Sequence, residues 1–333
     1  MEQNTNRLFW AVGVLSIGAL LLGGGSFLVK ENFLPKISQV LKKSLEDNDK
    51  NNVKGVEAAD GYIVAKIRDE DKTKNESAIY IFLTKNADGT LTIDHAKEDE
   101  GEGPYLTAST GELYIPDKVN GADITAILSS AFSSANFTKL KLPENIKQIE
   151  PWSFTSSPLI GELSLPESIE SIGESAFSEA KLSGKLILPS KLKEIGSWSF
   201  LNSKFTGELV LPENIKSIGD YTFRDSIFTG ELNLPQNVEN IGEGAFQNSI
   251  FTGTFETRSN LKTIGALAFQ KSKFTGTLDL LNISTIDYEA FDSSLFTQVN
   301  NPRNLPTTEG TDVQEDSISH TAIRLSTGNY YLN

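Results

Sequence analysis

The stretch GELVLPENIKSIGDYTFRDSIFT, Gly207 to Thr229, is one copy of a unit that recurs along more than half of the chain. Phenylalanines stand at 132, 154, 177, 200, 223, 246, 269 and 291, at intervals of 22 or 23 residues. Such a series is the signature of stacked-repeat architecture. Gly161, Gly184, Gly207, Gly230, Gly253 and Gly276 keep a strict 23-residue period, and so do Pro143, Pro166, Pro189, Pro212 and Pro235.

Within each unit the apolar positions form columns. Leu163, Leu186, Leu209, Leu232, Phe255 and Leu278 make one, and Leu165, Leu188, Leu211, Leu234 and Leu280 another, two residues on. That alternation predicts a short strand with one face inward. Proline, lacking the N–H for a further ladder bond, is expected to end it. Ile172, Ile195, Ile218, Ile241 and Ile264 form a third column, each followed by a glycine that the sequence reads as a tight bend. Phe205, Phe228, Phe251 and Phe274 form a further one. One coil cannot enclose these side chains, but stacking buries each column against its own copies. Parallel pairing at ~4.8 Å per coil gives a short curved rod of about eight coils.

The pattern L-x-L-P-x-x-I-x-x-I-G-x-x-A-F-x-x-S, as at Leu232 to Ser249, resembles the BspA-type leucine-rich repeats of bacterial surface proteins and some parasitic protists. The resemblance covers residues 111 to 297. Where such repeats often carry cysteine, this chain has Ser157, Ser203, Ser226, Ser249 and Ser272, with Ala180 between them. Arg258 and Leu281 replace the expected proline in the late coils, and the first coil has an insertion around Val119 to Asp123. The resemblance implies recognition of protein or matrix, often adhesion, and supplies no catalytic residues.

The expected fold is thus a leucine-rich repeat solenoid: a parallel β ladder of short strands with mixed α/β or irregular returning segments over 106–300. A small β-rich unit over 59–105 is expected to cap its first coil. That unit rests on the runs Tyr62 to Ile67, Ala78 to Thr84 and Thr90 to Ile93, with Lys85 to Gly89 as a hairpin turn. Asp88, Gly89 and Asp94, or Asp69, Glu70 and Asp71, lack the spaced oxygen ligands of a calcium loop and read as turn chemistry and solvated charge.

Residues 1–30 read as a signal anchor. Leu8 to Val29 is a run of 22 residues without a charge, long enough as a helix to cross a bilayer core. It exceeds a typical signal-peptide apolar region and lacks an A-x-A cleavage pattern, although Gly23 to Ser26 permits cleavage and secretion as the alternative. Lys30, Lys36, Lys42 and Lys43 outnumber Arg7 across the span, which on the positive-inside bias places the repeats in the cytoplasm. Long domains translocate largely regardless of such charges, and the family resemblance implies export. Residues 31–58 read as an amphipathic stalk with a polar linker, and 301–333 as a tail or cap without an LPxTG-type wall-sorting motif.

Composition narrows function further. A net charge of -14 repels polyanions, which excludes nucleic acid as a partner. There is no cysteine and there are only two histidines, His95 and His320. With no nucleophile–base pair, phosphate loop or ligand cluster, neither an enzyme, a cofactor nor a metal site is expected. Two outward strand columns are the candidate surfaces. Lys139, Glu162, Lys185 and Glu208, continued by Glu231, Thr254 and Thr277, alternate in sign at first and read as cross-strand pairs that hold register. Tyr114, Lys141, Ser164, Ile187, Val210, Asn233 and Glu256, continued by Asp279, are the candidate partner-binding column, with an apolar spot at Ile187 and Val210. The sequence therefore points to a membrane-anchored, cell-surface, adhesion-type binder of a protein or matrix ligand; the alternative is a scaffold or spacer in a cell-envelope or secretion assembly.

Overall fold

The computed structural model describes residues 51–58, 61–68, 78–98 and 111–300. The expected membrane span, the stalk before residue 51 and the C-terminal tail lie outside these residues. No helix among the described residues is long and apolar enough to cross a membrane.

The repeats stack as predicted, and each coil has three sides. The first carries two-residue strands at Gln148–Ile149, Ser171–Ile172, Glu194–Ile195, Ser217–Ile218, Asn240–Ile241, Thr263–Ile264 and Thr285–Ile286, paired in parallel coil upon coil. The second carries a shorter ladder of Ile160–Gly161, Lys181–Gly184, Lys204–Gly207 and Ile227–Phe228. The third is the returning segment around the periodic phenylalanine, built of turns and not helix.

Two expectations need correction. The Leu-x-Leu segments do not form the continuous ladder: their leucines point inward, but at Leu209 and Leu211 the backbone is not in a strand. The long ladder sits instead at the isoleucine, after the proline. Gly173, Gly196, Gly219, Gly242 and Gly265 are not among the residues with left-handed backbone. They are needed for close approach: a Cβ at Gly219 would meet the Ser197 backbone nitrogen at 2.6 Å. The left-handed turn belongs to the other glycine column, where Gly161, Gly184, Gly207, Gly230, Gly253 and Gly276 have φ between 77° and 81°.

Every returning segment also holds non-glycine residues in left-handed backbone, and four of them are bulky: Trp152 (φ 58°), Trp198 (56°), Tyr221 (52°) and Leu267 (58°). Each such residue costs about 1–2 kcal/mol. The neighbouring coil offsets it, because Trp152, Trp198 and Tyr221 donate their N–H groups to Glu174, Asp220 and Glu243 carbonyls at 2.9, 2.8 and 2.7 Å.

The main core is one cluster running from Val53 to Phe296, and a small second one of Val64, Ala78 and Tyr80 lies in the N-terminal sheet. Its axis is the phenylalanine stack: Phe132, Phe154, Phe177, Phe200 and Phe223 follow one another at 5.2–5.7 Å between ring centroids, with planes 2–6° apart. Phe246, Phe269 and Phe291 continue it. Burying one such ring contributes about 1.5–3 kcal/mol before chain entropy is subtracted. Phe205 and Phe228 pack edge-on against this stack at 5.7 Å. The buried serines form a hydrogen-bonded file: the hydroxyls of Ser226, Ser249 and Ser272 each donate to the serine carbonyl one coil earlier, at 3.4, 3.2 and 3.3 Å.

The N-terminal unit is an antiparallel sheet of Gly55–Glu57, Ile63–Arg68, Ile79–Lys85 and Leu91–Glu98. Its strands begin within the stretch that reads as linker, since Asn52–Val53 already pairs with Lys118–Val119. Leu91–Glu98 continues in parallel onto Ala122–Ile127 and so onto the long ladder, which places the unit as a lid on the first coil. The insertion noted at Val119 to Asp123 is a hairpin whose two central residues, Asn120 and Gly121, both have positive φ. Lys118 and Asp123 bond across it at 2.8 Å, and that ammonium holds the Asp123 carboxyl below its ordinary pKa.

Candidate interaction surface

The side chains outside the isoleucine ladder line a groove of about 860 Å³. The isoleucines of the ladder turn inward, and Gly173 and Gly196, onto which the preceding coil's backbone closes, lie among its lining residues. Among its lining residues Glu150 and Glu174 follow the ladder strands in the chain, Lys193 and Lys216 precede them, and Gln148, Ser171 and Glu194 come from the ladder itself. Lys193 is bonded to Glu170 at 2.6 Å, which lowers the Glu170 carboxyl pKa. Further along, Ser217, Asn240 and Thr263 are linked by side-chain hydrogen bonds of 3.4 and 2.7 Å. The groove therefore offers carboxylates, ammoniums, amides and hydroxyls in rows one coil apart, suited to holding a polar extended segment.

The column chosen from the sequence lies on the other ladder's side. Ser164, Ile187, Val210, Asn233 and Glu256 are exposed, Ile187 at 65% and Val210 at 73%. Three members are engaged within the chain: Tyr114 with Asn51, Lys141 with Glu144, and Glu256 with Arg258 at 2.9 Å. The alternating column forms no ion pair among the described residues. Its glutamates lie over the glycines of the following coil instead: Glu162 Cγ would be 2.7 Å from a Cβ at Gly184, and Glu208 Cγ 3.2 Å from one at Gly230. This staggered packing, and not charge pairing, occupies the position. Reading the sequence for strand faces passed over the groove residues, because the Leu-x-Leu alternation marks the other side of the coil. The signal for them was the polar residue before each periodic isoleucine.

No group of three or more His, Asp or Glu residues suited to a metal ion occurs among the described residues. Asp88 serves its own turn, accepting the Thr90 N–H at 3.0 Å and hydroxyl at 2.6 Å, and these bonds lower its pKa. His95 bonds Asp94 at 2.8 Å and stacks on Phe82 with centroids 4.3 Å apart, within the N-terminal sheet.

Coils of 22 or 23 residues, parallel ladders and a shared aromatic axis define a leucine-rich repeat solenoid. The family model described as "BspA type Leucine rich repeat region" matches six copies over residues 112–206 and 202–313. The chain belongs to the BspA-type leucine-rich repeat family. Solved structures similar to it include a leucine-rich repeat protein from Bacteroides ovatus, at 17% identity and TM-score 0.43, over 62% of this chain and 59% of that one. Another is a leucine-rich cell-surface protein from Faecalibacterium prausnitzii, at 18% identity and TM-score 0.47, over 66% of this chain and 71% of that one. The chain thus spans less than two thirds of the length of the first of these. No curated protein matches the sequence.

Proposed function

We propose that the protein is a membrane-anchored cell-surface binder that captures a protein or matrix partner through its solenoid. The groove carries this reading: a polar trough built by consecutive coils repeats its chemistry at a fixed step, as an extended polypeptide does. Family membership supports it, since the matched family is one of repeat proteins and a similar structure is described as a cell-surface protein. The uncharged run Leu8 to Val29 would hold the chain at the membrane with the repeats outside. The exposed Ile187 and Val210 would extend the contact onto a second side.

Protease shaving of intact cells tests the display: loss of the repeats with the membrane still sealed is expected, and their survival overturns it. Capture is tested with the chain as bait. Ile187→Asp with Val210→Asp, or reversal of Glu150 and Glu174, is expected to weaken recovery of an external partner; recovery unchanged in both variants overturns the assigned surfaces. The unbroken core from Val53 to Phe296 also suits a rigid spacer. Co-purification of a set of envelope proteins, with no external partner, would favour that second reading.

A further inference from the structure

Asn120-Gly121 is the one Asn-Gly pair in the sequence, and it forms the tip of the hairpin inserted in the first coil. The base of that hairpin is bonded to the next coil: Asp117 accepts the Glu144 N–H at 2.8 Å, and Asp123 accepts the Asn145 side-chain amide at 2.8 Å. Its tip is bonded to the segment that opens the N-terminal sheet. The Asn120 N–H donates to the Val53 carbonyl at 3.0 Å. The Asn120 carboxamide engages both backbone groups of Gly55, Oδ1 accepting the N–H and Nδ2 donating to the carbonyl, each at 3.0 Å. The Gly121 N–H donates to Asn52 Oδ1 at 2.9 Å. Gly55 itself is closely packed, since a Cβ there would meet Ile63 Cγ2 at 2.6 Å and Val119 Cγ1 at 2.7 Å. A left-handed turn, with φ of 53° and 81°, accounts for the residue types at the tip. It does not call for the two-point clasp on Gly55.

The same two residues carry a reaction that the clasp holds back. Glycine has no side chain to shield its nitrogen or restrict its backbone, so in an open chain the deprotonated Gly121 nitrogen reaches the Asn120 side-chain carbonyl carbon. The N–Cγ bond forms, the Cγ–Nδ2 bond breaks, and the amide leaves as ammonia, taking up the proton that the nitrogen lost to water. A water molecule then opens the succinimide ring to aspartate or isoaspartate. In the folded chain both residues are exposed to solvent, yet the nucleophile's N–H is tied to Asn52 and both ends of the carboxamide are tied to Gly55. Ring closure therefore waits until the segment from Asn52 to Gly55 lifts. Either product spoils the return. Aspartate has no donor for the Gly55 carbonyl. Isoaspartate also inserts a carbon into the main chain between positions 120 and 121, which displaces Lys118 and Val119 from their partners Asp123 and Ala122.

We infer that Asn120-Gly121 is a self-modifying latch between the N-terminal sheet and the first coil: when the sheet lifts, Asn120 deamidates and the sheet no longer reseats in its original register. The reaction consumes only water and is independent of any binding partner. It turns a transient opening into a permanent one, at the joint between the leading coil and its cover.

The test ages the full chain at mildly alkaline pH and follows the tryptic peptide Val119 to Lys139 by mass spectrometry, fragment ions separating Asn120 from Asn136. Conversion of the Asn120 amide to acid is expected to run about tenfold or more slower in the folded chain than in urea, because only the open fraction reacts. Asn52→Ala, which releases the Gly121 N–H, should raise the folded-state rate several-fold and leave Asn136 unchanged. Asn120→Asp reproduces one product and should lose amide-exchange protection at Gly55. Asn120→Gly keeps the turn without the carboxamide or the charge, and separates loss of the clasp from repulsion. If Asn120→Asp does not fold, the deamidated fraction of aged wild-type chain, isolated by anion exchange, takes its place. Equal rates in folded and unfolded chain would overturn the latch. So would a folded-state rate that Asn52→Ala leaves unchanged, or deamidated chain whose Gly55 is as protected as before.

Discussion

Ser203 and Ser249 occupy the same buried place in two coils and meet different neighbours. The Ser249 hydroxyl donates to the Ser226 carbonyl at 3.2 Å, whereas the Ser203 hydroxyl has no partner. One coil before Ser203 the file holds Ala180, which shows that the position accepts a methyl group. Ser249→Ala is therefore expected to cost about 0.5–1.5 kcal/mol in urea unfolding, while Ser203→Ala is neutral or stabilising. Equal losses would show that both hydroxyls are satisfied. Tyr221 gives the pH counterpart. Burial first, then the hydrogen bond from its hydroxyl to the Glu243 carboxylate, pushes its pKa up to about 12 from an ordinary 10.0. A group that ionises later in the folded chain contributes stability in full below its unfolded pKa and loses it as pH climbs towards the folded value. Relative to Tyr221→Phe, the unmodified protein should lose thermal stability between pH 10 and 12. Parallel alkaline melting curves would refute this.

At the scale of the element, each coil contacts only its neighbours, and the long ladder keeps a 23-residue register, as between Ser171 and Glu194 or Ser217 and Asn240. Excising residues 207–229 whole brings equivalent positions together and should leave a folded, cooperatively melting protein with a lower transition temperature. Removing half as many residues breaks every column and should unfold the repeats; circular dichroism separates the two. The same periodicity explains what was legible beforehand. The phenylalanine series, the stacking and the inward leucines follow from spacing alone, because burial against a copy is the only way to hide such columns. Which segment carries the ladder was not legible. Alternation of period two marks any extended segment with one buried face, and hydrogen-bonding partners depend on how adjacent coils are offset. The glycine after isoleucine was misread for a related reason: a bend and a close approach both demand a missing Cβ, and only the position of Ser197 distinguishes them at Gly219. The groove was hidden likewise, since its lining gathers residues from successive coils that stand far apart in the sequence.

For the whole molecule, the N-terminal sheet matters more than its size suggests. Its Ile79, Ile81 and Leu83 belong to the same core as the repeats, so the first coil has no apolar end. The coil-to-coil bonds also have a direction. On the isoleucine side the later coil donates backwards, as Gly173 N–H does to Ile149 at 2.7 Å; on the phenylalanine side the earlier coil donates forwards, as Phe154 does to Ala176 at 2.8 Å. A bare leading end and a bare trailing end would therefore be complementary, each offering the donors that the other's acceptors require. Such a head-to-tail contact does not close on itself. A chain trimmed to residues 111–300 is expected to polymerise into unbranched fibres with concentration-dependent light scattering, and a trimmed chain that stays monomeric would refute this. The small sheet at the front is then what keeps a self-templating rod finite.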